Sequence, residues 1–346
     1  MKKFIETIKN IFKIEELRTR LGYTFLLILV YRLGCFIVLP GIDTTLLASL
    51  QDSTQQGLVG LLNMFSGGAF GNASIFALGV MPYISASIVI QLLGMFVPYF
   101  RKLQMEGESG RRKMNQLTRY LTILILCIQG PAYIASIHSQ IPGAAFLAET
   151  QLGWSRFMYN LVATIILMAG SMFVMWLGER ITDRGIGNGI SILLFAGIVA
   201  QFPQIINTLG QYWNLAVNGS TQFFFLVPLW VVLFVAVVWI ITFMQDSERR
   251  IPIQYAKRVV GRKMYGGQSS HLPIKVALGG VLPIIFASSI LSIPSTINLF
   301  LKIPAGEGFW GAFFAAFSTT GWLYMVLYFL FIIMFAYFYT SIQYNP

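Results

Sequence analysis

Charge is what this sequence has least of. Only 11% of its 346 residues are charged, while 56% are hydrophobic. A soluble domain carries about 25% charge, so no water-exposed surface can be assembled from this composition. The chain reads as an all-α, multi-spanning membrane protein, since the long unbroken apolar runs lack the period-two alternation of a membrane barrel. The thirteen acids fall in the connections between apolar runs or at their ends, which excludes the intramembrane carboxylates on which proton relays and ion-coupled pumps are built. Cysteine and histidine are scarcer still, at two each. Cys35 and Cys127 lie in separate apolar runs, and His138 and His271 have no second ligand at usable spacing, so neither a disulfide framework nor a metal centre is indicated. A nucleophile elbow, an HExxH helix and a phosphate loop are also missing. The glycine-rich RGIGNGIS segment (Arg184 to Ser191) follows a charged turn rather than a strand and lacks the Lys-Ser/Thr ending. Its Gly185, Gly187 and Gly189 read instead as the point where two helices meet closely at a tight turn. Neither an enzyme nor a cofactor is expected.

What is present is apolar length. Crossing about 30 Å of hydrocarbon takes roughly 20 residues, and eight runs qualify, near 22–40, 74–97, 117–137, 154–177, 187–209, 222–244, 275–300 and 314–341. Alternate connections collect all but three (Arg32, Arg156 and Lys302) of the 24 basic residues on one side. The positive-inside rule makes that side cytoplasmic and places both ends of the chain there. The opposite connections carry mostly acids, Asp43, Asp52, Glu149 and Glu307. Residues 1–21 place Phe4, Ile5, Ile8, Ile11 and Phe12 at helical spacing with lysines between them, an amphipathic helix suited to the membrane surface. Residues 22–209 then form one half of the molecule and 222–346 a second, partial half. Within the latter, the long basic connection 245–274 alternates weakly at Ile251, Ile253 and Tyr255 and then turns through glycines, so a protruding hairpin is expected.

Two features fit none of these roles by themselves. The stretch MFSGGAFGNASIFALG (64–79) is uncharged and half apolar, yet too rich in glycine to begin a spanning helix. Arg32 stands inside an apolar run, where snorkelling or a bond to backbone carbonyls would accommodate it. Ile84 with Ile88, and Ile190 with Leu194, share helix faces four residues apart. Spacing alone gives such aliphatics only lipid or packing partners.

Five strings change that weighing: VYRLGCFIVLPGID (30–43), NMFSGGAFGNASIFALGVMPYISASIVIQLL (63–93), EGESGRRKMNQLTRY (106–120), MWLGERITDRGIGNGISILLFAGIV (175–199) and YAKRVVGRKMYGGQSSHLPIKVALGGVLPIIFASSI (255–290). They resemble, in order and from end to end, the bacterial SecY family, the central subunit of the general protein-translocation channel. The resemblance implies a helical clamshell around an hourglass pore that opens across the membrane for unfolded chains and sideways for membrane segments. It implies a plug, a short half-helix at about 61–72 comprising Leu61, Leu62, Asn63, Met64, Phe65, Ser66, Gly67, Gly68, Ala69 and Phe70. Ile84, Ile88, Ile190, Leu194 and Ile285 match the pore ring, where branched side chains would grip a passing chain and dewet the closed pore. The sideways gate would run between the helices of 74–97 and 275–300, with Ser85, Ser87 and Gln91 on one side and Ser288 and Ser289 on the other. Arg111, Arg112, Arg249, Arg250, Lys257, Arg258, Arg262 and Lys263 match the docking surface for the ribosome and the SecA ATPase motor. Further implied partners are small membrane subunits of the SecE and SecG type, signal sequences, nascent polypeptides and membrane lipids. The family has ten spans and this sequence stops at FYTSIQYNP after the eighth, so the chain is expected to be a fragment rather than a truncated, non-functional paralogue. A substrate-specific secondary transporter is the rival reading, opposed by the lack of buried acids.

Overall fold

Long apolar runs flanked by charge give helices, and a computed structural model of the chain consists mainly of them. It describes residues 13–43, 63–140, 146–147, 153–218, 221–253, 258–260, 263–265, 270–277, 279–280, 283–284, 286–288, 290–291, 294, 308–317 and 321–343. The helices are α1 (Glu15–Gly34), α2 (Met81–Phe96), α3 (Pro98–Met105), α4 (Glu108–Gln140), α5 (Arg156–Arg184), α6 (Gly189–Ala200), α7 (Phe202–Val217), α8 (Thr221–Asp246), α9 (Gly308–Ala316) and α10 (Trp322–Gln343). Among the described residues, five helical segments have the length and apolarity to cross a membrane, or six if the bent pair α2 and α3 forms one span. The run 22–40 is not among them because its helix carries Glu15, Glu16, Arg18, Arg20 and Arg32. The run 275–300 lies largely outside the described residues, as do residues 1–12 of the expected amphipathic helix.

The chain divides into two compact units, Met1–Gln204 with Ser292–Tyr324, and Ile205–Leu291 with Met325–Pro346. In the first unit α1 packs on α5, α2 on α4, α4 on α5 and α5 on α6. Two apolar clusters form its interior. One gathers Leu39, Tyr133, Ile137, Phe146 and Leu167, and the other Leu27, Tyr31, Leu177, Ile181 and Leu193. Residues 66–80 supply both, with Phe70, Ala73 and Ala77 in the first cluster and Ala69, Phe76 and Val80 in the second.

That placement corrects two expected boundaries. The run 74–97 becomes helical only at Met81, with Pro82 in the first turn, because residues 66–80 form a succession of tight turns. Gly67, Gly68 and Gly79 have φ of 66°, 88° and 53°, a left-handed region that only glycine enters without cost. The run 22–40 stops being helical after Gly34, against which the Phe76 ring packs so closely that a Cβ would overlap it. The chain then extends, Val38 bridging Ser74 and the Leu39 N–H donating to Ala73 O at 2.8 Å. At the far end of α2, Val97 is extended ahead of Pro98, and the helix axis turns by 98° into α3.

Ala73 carries a Cβ at φ 45° and is fully buried. Left-handed backbone costs a non-glycine residue about 1–2 kcal/mol, and overpacking a filled site about 1–3 kcal/mol more. Ala73→Val should therefore lower the melting temperature of the detergent-solubilised protein by several degrees, whereas Ala73→Gly should leave it within a degree or two.

In the second unit α8 leaves its apolar side chains exposed along its length. The basic connection after it forms the expected hairpin as two antiparallel ladders. β1 (Glu248–Ile253) pairs with β4 (Ser270–Lys275), Glu248 opposite Lys275 and Ile253 opposite Ser270. Between them in sequence, β2 (Arg258–Val260) pairs with β3 (Lys263–Tyr265).

Candidate functional site

The turn-rich stretch 63–80 is held together by its own small polar residues. Among the described residues the expected half-helix ends at Phe65, residues 66–72 forming turns instead, and Leu61 and Leu62 lie outside the described residues. Ser66 Oγ donates to Asn63 O at 3.1 Å and accepts from the Phe70 N–H at 3.0 Å. Asn63 Oδ1 accepts from the Gly71 N–H at 2.8 Å. These side chains replace the backbone partners that a glycine-broken helix lacks.

The surrounding helices hold the stretch chiefly through its backbone carbonyls. Arg32 Nη1 donates to Gly67 O at 2.8 Å and Tyr31 Oη to Ser66 O at 3.2 Å, both from α1. Tyr133 Oη, from α4, donates to Phe70 O at 2.7 Å, and Gln201 Nε2, at the end of α6, to Asn63 O at 3.0 Å. Arg32 thus meets a carbonyl, as an intramembrane charge requires, and its guanidinium also lies 5.6 Å from the Phe36 ring centroid. Gly67 sits against the backbone of Gly197, so a Cβ on it would come within 2.9 Å of Gly197 Cα. Tyr31, Tyr133 and Gln201 carried no sequence signal for this role beyond being polar groups in apolar runs.

Four of the five collar residues fall in the first unit. Ile84 on α2 and Ile190 on α6 are half-buried and pack against the same cluster of Tyr31, Phe76 and Leu193. Ile88 is buried and Leu194 half-buried, whereas Ile285 lies outside the described residues. The start of α6 is fixed by the glycine corner. Asn188 caps it, its Oδ1 accepting from the N–H groups of Ile190 and Ser191 at 3.1 and 3.3 Å. The Gly189 N–H donates to Thr182 Oγ1 at 2.9 Å, and a side chain on Gly189 would strike the Gly178 carbonyl of α5. The close meeting of two helices expected from these glycines is what the fold contains.

Of the gate residues, Ser85 is half-buried on α2. Gln91 Nε2 donates to Ser87 Oγ at 3.3 Å within the same helix. Both line a cleft of about 470 Å3 with Gln104 of α3 and Arg111, Asn115 and Thr118 of α4. Ser288 lies in a helical stretch of the second unit, and Ser289 lies outside the described residues. Among the basic residues, Arg112 pairs with Glu108 at 2.9 Å, while Arg111, Arg249 and Arg250 are exposed. Arg258 opens β2 and Lys263 opens β3, and Lys257 and Arg262 lie outside the described residues.

An uncharged, turn-built stretch is thus seated by its carbonyls among membrane-length helices, and the fold around it is that of solved protein-conducting channels. It superposes with a TM-score of 0.55 on a SecY protein whose plug domain stabilises the closed state of the translocation channel, at 19% identity over 89% of this chain and 63% of that one. Against Sec61 in the canine ribosome-channel complex the TM-score is 0.53, at 17% identity over 82% of this chain and 59% of that one. The chain belongs to the SecY family: the SecY family model matches residues 74–346, and the protein translocase subunit SecY of Vibrio cholerae is 42% identical over 346 residues, 96% of this chain and 73% of the relative. The chain thus spans about three quarters of that relative and about 60% of the solved channel chains.

Proposed function

We propose that the chain contributes most of a protein-conducting channel that passes unfolded secretory polypeptides across the membrane and releases apolar segments sideways into it. The observation that carries this reading is the seating of residues 63–80. Besides burying Ala69 and Phe70, its leading part, residues 63–72, is uncharged and takes side-chain donors on four backbone carbonyls, so it can leave without carrying a charge of its own into hydrocarbon while residues 73–80 stay in the core. Ile84 and Ile190 pack on the core that its Phe76 and Val80 help to build, which suits a collar of aliphatics next to a removable stopper.

Around that channel the reading places SecE-type and SecG-type subunits within the membrane, and the ribosome or the SecA motor on the basic hairpin of β1 to β4. Signal sequences would enter between the runs 74–97 and 275–300, where polar contacts of only about 0.6–2 kcal/mol each would let an apolar segment displace them. The basic connections and both ends of this chain would face the cytoplasm of a bacterial cell. A secondary transporter finds no support, since the acids near α4 and α5 pair with surface cations, Glu179 with Arg119 at 2.7 Å and Glu106 with Lys113 at 3.9 Å.

A photo-crosslinking side chain placed at 84, 88 or 190 tests the reading in the full-length channel carrying a stalled secretory chain. Adducts with the stalled chain are expected at all three positions. Adducts confined to exposed positions such as Phe225 or Trp239 of α8 would refute the channel assignment.

A further inference from the structure

Four carbonyls of residues 63–70 receive side-chain donors from three different elements, and one of the four depends on a single donor. Asn63 O also accepts from the Gly68 N–H, Ser66 O from the Ala69 N–H and Phe70 O from the Ala73 N–H, whereas Gly67 O, among the described residues, has the Arg32 guanidinium alone. Gly67 is buried, so without Arg32 its carbonyl would lack a partner in apolar surroundings, a costly state. The bond is charge-assisted and roughly twice as strong as a neutral one. Resting on the channel reading above, we propose that Arg32 is the principal positioning residue of a latch that holds residues 63–72 in their seat, with the Tyr31 and Tyr133 hydroxyls as its weaker members. The latch sets how readily the seat empties.

A competing effect has the opposite sign. Arg32 is itself a charge on a membrane-spanning run, and emptying the seat would let water reach it, so its own desolvation favours release. In the seated state the guanidinium has both the Gly67 carbonyl and the Phe36 ring as partners, while the Gly67 carbonyl, among the described residues, has the guanidinium alone, so the hydrogen bond prevails. Because the latch reads carbonyls, its demand on Gly67 is one of backbone shape: this residue must stay glycine, with its φ of 66° and its contact on Gly197.

The test uses the full-length channel in proteoliposomes, with Met64→Cys as a reporter modified by a membrane-impermeant maleimide from the face opposite the basic connections. With no polypeptide in transit, Arg32→Met should speed modification by at least about tenfold. Tyr31→Phe and Tyr133→Phe should each speed it by about threefold, and Arg32→Lys should fall between the native and Arg32→Met rates. The two phenylalanine variants keep the ring packing, Tyr31 on Phe76 and Tyr133 on Phe70, so they report on the bond even if Arg32→Met fails to fold. Transport should separate a latch from a generally weakened protein: a substrate with a defective signal sequence should be exported several-fold better by Arg32→Met while a normal substrate is exported at the native rate. An unchanged or slower modification rate in Arg32→Met and Tyr31→Phe overturns the latch. If stalled chains still crosslink at 84, 88 and 190 in that case, the channel reading stands and the latch alone falls.

Discussion

A channel carrying Gly189→Leu should scarcely accumulate in folded form. Gly189 opens α6 directly against α5, where an added Cβ would meet the Gly178 carbonyl oxygen and come within 2.7 Å of Ile181 Cβ. Both obstacles belong to a helix whose Val174, Leu177 and Ile181 are packed into the buried core, so no rotamer change relieves the overlap. Either α6 moves away, opening a void beside Leu193, or the turn at 185–189 unfolds. A clash of this kind belongs with the mechanisms that exceed about 4 kcal/mol, a large part of the stability of any domain. Other glycines calibrate the result. Gly187 has φ 61° but nearly open space around it, so Gly187→Asn should cost at most about 1 kcal/mol. Gly22, in the interior of α1 with nothing within 4 Å, should tolerate alanine with a gain of about 0.5–1 kcal/mol. Folded yield by size-exclusion chromatography and thermal unfolding in detergent would rank the three. A Gly189→Leu protein that melts within a few degrees of the native one would mean that α5 and α6 do not meet as described.

The same comparison shows which parts of the fold were readable in the residues. The helices α5 and α8 were, because an apolar run of spanning length has few other solutions. The hairpin of β1 to β4 was, because alternation at Ile251 and Ile253 ahead of a glycine-containing turn is a local signal. Residues 74–80 were not. Hydropathy scores a chain buried inside a protein and a helix buried in lipid alike, and the choice here rests on contacts far away in sequence, Leu39 on Ala73 and Gly34 under Phe76. The end of α1 at Gly34 was hidden for the same reason, since the apolar run continues to Pro40.

At the site, Arg32 stood out as a membrane charge but its partner did not. A backbone carbonyl has no identity in a sequence, so the seat formed by Arg32, Tyr31, Tyr133 and Gln201 is visible only in three dimensions. The glycines at 67, 68 and 79 marked a stretch unfit for helix without saying what it would be instead. The aliphatic collar came from the family resemblance, because isoleucines four apart on a membrane helix are unremarkable by spacing alone.

For that collar, the expected result is a resting channel that conducts ions at least about tenfold faster when Ile84 and Ile190 are both replaced by serine. A constriction lined by branched aliphatics excludes water because the confined liquid loses hydrogen bonds it cannot recover from the wall, and ions do not cross a dry passage. A serine hydroxyl restores some of those bonds and shortens the side chain, so the barrier to a continuous water file falls. A tenfold rise corresponds to only about 1.4 kcal/mol of barrier, a modest demand on two substitutions. The choice of positions matters, because a collar residue that also holds the core confuses leakage with unfolding. Ile88 is 5% exposed, and its truncation should cost about 2–4 kcal/mol of stability. Ile84 and Ile190 are half-buried at the edge of their cluster and should lose less. Ile165, on an exposed face of α5, supplies the control: Ile165→Ser removes the same atoms from a membrane helix and should leave conductance unchanged. The measurement is the resting conductance of the full-length channel in a planar bilayer, with folded yield followed in parallel. A well-folded Ile84→Ser, Ile190→Ser double variant that conducts no more than Ile165→Ser would show that these side chains do not line the barrier. The seal would then rest on the seated residues 63–72 alone.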